Sequence, residues 1–285
     1  MPSIKNIVYE TPSQPKQLRL DTVGNNCNAS CLSCHRRLSK RTGKMPMDMI
    51  RRILNDVSSW NQPLNEIVPV NYGELFTRPD WETIITKIAI KLPFTKIVIP
   101  TNGSLLNEKA VRFLCSVPTL YVINFSVNAY FAETYEYFTG LKAEVIERIK
   151  TFVMLISQLR KDVTIWVSMV YDPEYQPQLD KDFFMEYWSH SPAVPQLLAA
   201  ASAGRKVRTI APLKIPCRSI FSDFVIGFDG KLSSCCFDAS FNLDLGYYSG
   251  DAKKDWLNPK LQRLRELHNA QQREEYELCR TCSFG

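Results

Sequence analysis

Three cysteines at short, unequal spacing are the first group in this chain whose residue types suggest chemistry. Cys27, Cys31 and Cys34 are separated by three residues and then by two, in a polar stretch that follows the strand-like run 18–23. Three thiolates this close together can hold three corners of a [4Fe–4S] cubane, which leaves the fourth iron without a protein ligand. An iron with an open coordination position is a place where a small molecule can bind and react.

Zinc and a chance group of surface cysteines are the two alternatives for this triad. Structural zinc sites use four ligands, typically in paired C-x2-C or C-x2-C/H-x3-H arrangements. His35 would have to be the fourth ligand, but it directly follows Cys34, and a chelate between adjoining residues is strained. The spacing therefore favours the iron–sulfur cluster.

The C-x3-C-x2-C pattern of the triad resembles the signature of the radical S-adenosylmethionine (SAM) superfamily. The resemblance implies that the open iron binds the amino and carboxylate groups of SAM. It also implies that reductive cleavage of SAM yields a 5′-deoxyadenosyl radical, which abstracts hydrogen from a C–H bond. In such enzymes the cofactor carries the difficult chemistry and the protein orients and protects it. Ser33 stands where the family commonly has an aromatic residue, a departure that leaves the ligands unchanged.

The composition is that of an ordinary globular protein. The 285 residues are 45% hydrophobic and 22% charged, enough for one large domain or one domain with a small appendage. The sequence has no 18-residue apolar run and no signal-peptide core, so we expect a cytoplasmic protein without a membrane partner. Nine cysteines, an odd number, indicate metal binding or catalysis rather than a disulfide framework.

A basic run over residues 35–44 follows the triad and raises the question of a nucleic-acid partner. The net charge of +6 is compatible with an anionic partner without requiring one. No aromatic residues interleave the run, as single-strand binding sites usually require. We interpret the run as a solvated loop and expect no nucleic-acid partner.

The middle of the chain alternates between strand-like and helical patterns. Strand-like runs lie at 66–71, 96–100, 120–126, 163–170 and 196–201, and helical patterns lie at 81–91, 107–116, 142–160 and 182–188, after a helix that opens at Pro46. Such alternation predicts an α/β fold with a parallel sheet and outer helices. Counting the first strand gives six βα repeats, which fit the partial (β/α)6 TIM-like barrel that the resemblance implies for residues 1–210.

Short polar motifs follow the second and third strands, at the end of a parallel barrel where working groups gather. Tyr72-Gly73-Glu74 resembles the family's Gly-Gly-Glu-Pro motif, with Leu75 in place of proline. The resemblance implies contact with the SAM ammonium, although Glu74 also suits a helix N-cap or a surface position. Asn102 lies in a Thr-Asn-Gly segment that resembles one in the family, although Asn-Gly also favours a simple tight turn.

Polar residues also occur at the later strands. Ser126 and Asn128 end the fourth strand, Ser168 lies in the fifth, and the resemblance implies that these positions bind the SAM carboxylate or ribose. Arg205 follows the sixth strand and is a candidate for holding a substrate hydroxyl or stabilising a ketyl-like oxygen. A solvent-exposed position is the alternative for Arg205.

A second group of cysteines occupies the last quarter of the chain. Its members are Cys217, Cys235, Cys236, Cys279 and Cys282. Asp229-Gly230 between alternating apolar residues predicts a β-hairpin over 224–232, and a helical pattern runs from residue 259 to about 275. Cys217, Cys235, Cys279 and Cys282 can supply a closed set of four thiolates, for which zinc is one candidate.

The hairpin, the helix and the terminal C-x2-C together resemble the twitch domain, a shortened form of the SPASM extension of radical SAM enzymes. The resemblance implies that residues 211–285 form this domain and that the four cysteines hold one auxiliary [4Fe–4S] cluster. The implied cofactors are therefore SAM and two [4Fe–4S] clusters. A full SPASM domain would need more cysteines for a second auxiliary cluster.

Cys236 adjoins a predicted ligand and has no assigned partner. Neighbouring strand residues point to opposite faces, so Cys236 faces away from the cluster if Cys235 faces it. A thiol placed there can give its hydrogen atom to a substrate radical. There are two alternatives. Cys236 only packs within the small domain, or Cys236 is the cluster ligand and Cys235 is the spare cysteine.

Enzymes with a twitch domain and a short N-terminus include an aminocyclitol carbinol dehydrogenase and radical epimerases of aminoglycoside antibiotic biosynthesis. The resemblance to them implies hydrogen abstraction from a carbinol C–H of a small polar substrate, with a reductant such as flavodoxin or ferredoxin. Cys236 leads us to predict epimerisation. Dehydrogenation to a ketone, with the auxiliary cluster as electron acceptor, is the alternative. Modification of a ribosomal peptide is a third function, which the short segment before Cys27 disfavours.

Overall fold

The computed structural model describes residues 7–200 and 215–284 of the chain. Their strands are β1 (Gln17–Leu20), β2 (Glu66–Val68), β3 (Lys96–Thr101), β4 (Leu120–Ser126), β5 (Thr164–Tyr171), β6 (Val194–Ala199), β7 (Asp223–Ile226) and β8 (Leu232–Ser233). These strands form one sheet in the order β6-β5-β4-β3-β2-β1-β7-β8. The strands from β1 to β6 are parallel to their neighbours. The predicted α/β class and partial six-repeat barrel are confirmed.

The helices connect the strands and cover one face of the sheet. They are α1 (Met47–Ser58), α2 (Trp81–Lys91), α3 (Glu108–Ser116), α4 (Ala132–Thr139), α5 (Glu144–Leu159), α6 (Gln178–Ser189), α7 (Ala252–Trp256), α8 (Pro259–Asn269) and α9 (Glu277–Arg280). Only α4, among the helices between the barrel strands, falls outside the predicted helical patterns.

Alternating burial along β1 shows which face of the sheet the helices cover. Leu18 and Leu20 are fully buried and belong to the same apolar core as Ile50 and Ile53 of α1. Arg19 lies between the two leucines, and successive strand residues point to opposite faces. Arg19 is therefore on the inner face of the partial barrel, away from the helices.

The C-terminal segment extends the sheet of the barrel. β7 pairs in parallel with β1, and β8 pairs antiparallel with β7, which confirms the predicted hairpin. In α8, Pro259 occupies the first turn and the Asn258 side chain accepts a hydrogen bond from the Leu261 N–H at 3.0 Å. The helix predicted over 259–275 ends at Asn269, and a short 3-10 turn, Arg273–Glu275, follows it.

The boundary predicted between residues 210 and 211 lies outside the described residues, so the division into two domains stays a prediction. Within the described ranges, no helix combines the length and the apolar character needed to cross a membrane.

Candidate functional site

The cysteine triad lies on a loop that begins shortly after the carboxyl end of β1 and is held against the end of α4. The Ser30 N–H donates to the carbonyl of Thr139 at 2.8 Å, and the Leu32 N–H donates to that of Phe138 at 2.9 Å. Gly140 ends α4 with a φ of 69°. A Cβ atom there would lie 2.2 Å from Ser30 Oγ, so a residue without a side chain permits this close contact.

The three thiols of the triad lie within electrostatic range of one another. Burial raises the pKa of Cys31 to about 12, and the charges of Cys34 and Cys27 act in the same direction. Burial is also the main reason for the raised pKa of Cys27. Thiolates that repel one another in this way are stabilised when they bind a cationic centre. The triad therefore fits an iron cluster in its donor type and its grouping.

The Gly73-Glu74 segment packs backbone to backbone against the triad loop. The Glu74 N–H donates to the carbonyl of Asn26 at 2.8 Å. Gly73 has a φ of 85°, and a Cβ atom on it would lie 2.4 Å from the same Asn26 oxygen. The position after β2 thus requires glycine for two reasons, its backbone conformation and the space available.

The Glu74 carboxylate ties the ends of β2 and β3 together. The side chain is 2% exposed. Its Oε2 accepts from the Asn102 N–H at 2.7 Å, and its Oε1 accepts from Thr101 Oγ1 at 2.9 Å. Burial raises the pKa of Glu74, and these hydrogen bonds partly oppose the shift. Glu74 therefore has a structural role, and its contact with the SAM ammonium stays a prediction.

Asn102 links the end of β3 to the triad loop. Its Nδ2 donates to Asn28 Oδ1 at 3.0 Å and points to Cys27 Sγ at 3.8 Å. Its Oδ1 accepts from the Ser104 N–H at 2.9 Å. The Thr-Asn-Gly segment is thus a turn, as its sequence also suggested, and this turn supports a predicted cluster ligand.

Ser126, Asn128 and Ser168 are brought together at the carboxyl ends of β4 and β5. Ser126 and Ser168 are partners in the strand register. The Asn128 N–H donates to the Ser168 carbonyl at 3.1 Å, and Asn128 Oδ1 accepts from the Val170 N–H at 2.9 Å. The three residues form one polar patch at the carboxyl end of the sheet. Their individual contacts with SAM stay predictions.

Tyr72 lies within electrostatic range of both groups of cysteines. Burial raises the pKa of Tyr72 well above its usual value, and charges on Cys236, Cys235 and Cys34 act in the same direction. The hydroxyl is buried and has no hydrogen-bond partner among the described residues. The sequence predicted a SAM contact for Tyr72 but gave no sign that its side chain lies within range of both groups.

Four cysteines from three separate parts of the chain line one cavity. They are Cys217, Cys235, Cys279 and Cys282, the set predicted to hold the auxiliary cluster. Burial raises the pKa of Cys279 to about 12, and the positive charge of Arg273 opposes the shift. The remaining wall is largely apolar. This cavity, which we call the second cavity because the second cysteine group lines it, therefore gathers four thiols away from bulk water.

Cys236 does not line this cavity. Its thiol is also buried, which raises its pKa to about 11, while the charge of Arg19 lowers it. The cavity wall thus includes Cys235 and not Cys236, and the charges that act on Cys236 include Arg19 on the inner face of β1 as well as Cys217 of the second group. Arg19 was not predicted as a site residue from the sequence. The signal was present, because Arg19 is a charged residue between two buried leucines of a strand.

His268 and Arg273 complete the wall of the second cavity. The Cys217 N–H donates to His268 Nδ1 at 3.1 Å, and burial lowers the pKa of His268 to about 3. The Arg273 guanidinium donates to the carbonyls of Ile215 and Phe284, each at 2.9 Å. Neither residue was identified from the sequence.

In the described part of the chain, no three Cys, His, Asp or Glu side chains converge as ligands of one metal ion. In a [4Fe–4S] cubane, each thiolate binds a different iron. Arg205, the predicted substrate residue, lies outside the described residues.

The chain is similar to one protein family and to several solved structures. Residues 217–283 match the SPASM family, an iron–sulfur cluster-binding domain. BtrN in complex with AdoMet and 2-DOIA is similar with a TM-score of 0.67 and 17% identity, over 97% of this chain and 94% of that chain. Streptococcus suis SuiB bound to precursor peptide SuiA has a TM-score of 0.71 and 15% identity, over 96% of this chain and 70% of that one.

A third similar structure is anSMEcpe with bound AdoMet and Cp18Cys peptide. Its TM-score is 0.68 at 13% identity, over 94% of this chain and 88% of that chain. Comparison with curated protein sequences gives no match. The chain has the fold of these structures, and its C-terminal segment matches the SPASM domain. The predicted resemblance to the SPASM branch of radical SAM enzymes is confirmed in these two respects.

Proposed function

We propose that this chain is a radical SAM enzyme that abstracts hydrogen from a carbinol C–H of a small polar substrate, such as an amino sugar or aminocyclitol. We further propose that the reaction is an epimerisation in which Cys236 is the hydrogen donor. The observation that carries this proposal is the separation of two adjacent cysteines. Cys235 lines the cavity of the second group, whereas Cys236 does not and lies within range of Arg19 on the inner face.

The two cysteine groups fit the two proposed clusters. Cys27, Cys31 and Cys34 would hold the cluster that binds SAM, and the four cysteines of the second cavity would hold the auxiliary cluster. The match to an iron–sulfur domain supports the second assignment. AdoMet in the similar BtrN and anSMEcpe structures supports the first. With SAM bound, the first cluster would supply a 5′-deoxyadenosyl radical that removes a hydrogen atom from the substrate.

The polar residues at the strand ends would position SAM. The proposed contacts are Tyr72, Gly73, Glu74, Asn102, Ser126, Asn128 and Ser168. Glu74 and Asn102 already fix the turns after β2 and β3 through their hydrogen bonds to each other and to the triad loop. These bonds keep the backbone in place before a ligand arrives, which lowers the entropic cost of binding.

Cys236 would return a hydrogen atom to the substrate carbon on the face opposite to abstraction. In this step one S–H bond breaks and one C–H bond forms, so the sulfur is left one electron and one proton short. A reductant of the flavodoxin or ferredoxin class would supply the electron, and solvent would supply the proton. Arg19, and Arg205 beyond the described residues, are our candidates for holding the substrate oxygen.

The test is anaerobic turnover of candidate amino sugars with SAM and reductant in D2O. An epimerase should give product with one solvent deuterium at the inverted carbon, because the Cys236 S–H exchanges with solvent. Cys236→Ala should still form 5′-deoxyadenosine but no epimer. Cys115→Ala is the matched control, since Cys115 is buried in α3 and belongs to neither cysteine group. Deuterated epimer from Cys236→Ala would show that Cys236 is not the donor.

Dehydrogenation is the second candidate, because the chain and BtrN cover almost all of each other and that structure contains the small molecule 2-DOIA. In this case the substrate radical would pass an electron to the auxiliary cluster and a proton to a base. The product would be a ketone without solvent deuterium. The peptides in the SuiB and anSMEcpe structures support a third candidate, radical modification of a peptide. A modified peptide product in the same incubation would identify it.

We also propose that the chain divides into a radical SAM barrel, residues 1–210, and a twitch domain, residues 211–285. The matched range 217–283 supports this division. The pairing of β7 with β1 means that the two parts share one sheet.

A further inference from the structure

His268 faces the cavity that the four cysteines of the second group line. Its side chain, which comes from α8, is 0% exposed. The ring is tied to one of the proposed ligands, because the Cys217 N–H donates to His268 Nδ1 at 3.1 Å. His268 lies within the matched range 217–283 but is not one of the four predicted ligands.

The hydrogen bond from Cys217 determines where His268 carries its proton. A neutral imidazole has one nitrogen that donates and one that accepts, whereas an imidazolium donates from both. Since Nδ1 accepts, the ring is neutral and the hydrogen is on Nε2. A nitrogen that carries hydrogen has no lone pair for a metal, so His268 in this state is not an iron ligand.

The Nε2–H group has no acceptor among the described residues, although the atom is buried. Buried donors in native proteins almost always have a partner, because leaving one without a partner is destabilising. The ring lines the same cavity as the four thiols. A [4Fe–4S] cluster held by those thiols would present sulfide and thiolate sulfurs, which are acceptors, to this wall.

We propose that His268 donates a hydrogen bond from Nε2 to a sulfur of the auxiliary [4Fe–4S] cluster and thereby raises its reduction potential. This inference rests on the proposed function, since it requires that cluster in the second cavity. Hydrogen bonds to cluster sulfurs and nearby positive charge favour the reduced state, which carries one more negative charge. Arg273, a buried cation in the same wall, acts in the same direction.

The experiment isolates the auxiliary cluster in the full-length chain. Replacing Cys27, Cys31 and Cys34 together with alanine removes the first site, and reconstitution should then give about four irons per chain. In this background, His268→Leu removes the donor. His268→Gln keeps one acceptor for the Cys217 N–H and one donor for sulfur. His190→Leu is the matched control, because His190 is exposed at the end of α6.

We expect the midpoint potential, measured by redox titration with EPR detection, to fall in His268→Leu, to recover in His268→Gln, and to be unchanged in His190→Leu. As a second measurement, the spectrum of the reduced cluster in D2O should show an exchangeable deuteron coupling that His268→Leu lacks. An unshifted potential with an intact cluster in His268→Leu overturns the proposal. So does a change of cluster type in that variant, because it would make His268 a ligand.

If His268→Leu does not fold, the spectrum in D2O is measured on the triad-free protein that keeps His268. Absence of the exchangeable deuteron coupling in that spectrum overturns the proposal. Zinc instead of iron in the triad-free protein would be a different result. It would contradict the proposed auxiliary cluster itself rather than the role of His268.

Discussion

The two cysteine groups differ in how the chain assembles them. The triad occupies one short loop, its three cysteines are partly exposed, and its neighbours are backbone turns at the carboxyl ends of β2 and β3. The second group collects cysteines from three parts of the chain in an apolar cavity and surrounds them with His268 and Arg273. Three of its four cysteines are buried.

This difference indicates different tasks for the two proposed clusters. A cluster with three protein ligands at an accessible edge can bind a further molecule at its free iron. A cluster with four protein ligands in a closed cavity can exchange electrons but offers no position for a ligand. The surroundings of the two groups also differ, since hydrogen-bonded turns after β2 and β3 lie beside the first, and His268 and Arg273 lie in the wall around the second.

The largest expected effect comes from removing one ligand from each group. We expect about eight irons per reconstituted chain, from two cubanes. Cys31→Ala should abolish SAM cleavage and leave about four irons, whereas Cys282→Ala should lose the auxiliary cluster and still cleave SAM. Iron analysis, EPR and 5′-deoxyadenosine formation measure these outcomes, with Cys115→Ala as the control that keeps both clusters. SAM cleavage by Cys31→Ala would contradict the assignment.

A smaller effect should distinguish the packing of the two regions. Gly73 beside the triad and Gly250 in the C-terminal region both have positive φ, 85° and 100°. Alanine at either position is strained by ~1–3 kcal/mol. Only Gly73 has backbone atoms in the way, with Asn26 oxygen 2.4 Å from the added Cβ, while Gly250 has nothing within 4 Å. In urea unfolding, Gly73→Ala should therefore cost at least ~2 kcal/mol more than Gly250→Ala. An equal decrease in the free energy of unfolding in the two variants would show that the triad loop shifts to make room for the added methyl group.

The last effect is a change with pH, small over any one pH unit, and concerns Asp21, where the two regions meet. Its N–H donates to the carbonyl of Ile226 in β7 at 2.9 Å. Burial raises the pKa of Asp21 to about 7, and the charge of Arg41 opposes the shift. The folded chain therefore holds an extra proton between about pH 4 and 7, so its stability falls as pH rises through this window.

In Asp21→Asn, the free energy of unfolding should fall less steeply with rising pH, by on the order of 1 kcal/mol per pH unit. Denaturant unfolding across the same pH window measures the slope. Asp48→Asn is the control, because Asp48 is exposed on α1. An unchanged slope in Asp21→Asn would mean that another group controls the pH dependence.

The sequence predicted those parts of the fold whose signal is local. The helix predicted over 81–91 and the strand over 120–126 have the same bounds as α2 and β4. The strand predicted over 66–71 ends at Val68 because the next residue, Pro69, has no N–H for the ladder. The predictions did not include α4, since its buried residues Tyr135 and Phe138 are too few to show a helical period.

The candidate site likewise has residues that local sequence predicted and residues that only the fold revealed. The triad and the strand-end motifs are encoded by adjacent residues, so their spacing could be interpreted directly. His268 contacts Cys217 across 51 residues of sequence, and no local pattern connects two such positions. Cys235 and Cys236 are identical neighbours, and the fold that groups one with three distant cysteines was needed to distinguish them.

The pairing of β7 with β1 has a consequence for how this protein can be divided. The backbone of Gln17 and Asp21 donates to carbonyls of the C-terminal segment, at 3.0 and 2.9 Å. A shortened chain that stops before β7 would leave β1 as a bare sheet edge, open to association with other chains. The strand that leads into the triad is thus covered on this side by β7, so the lasting support of the triad loop depends on a segment that lies far from it in the sequence.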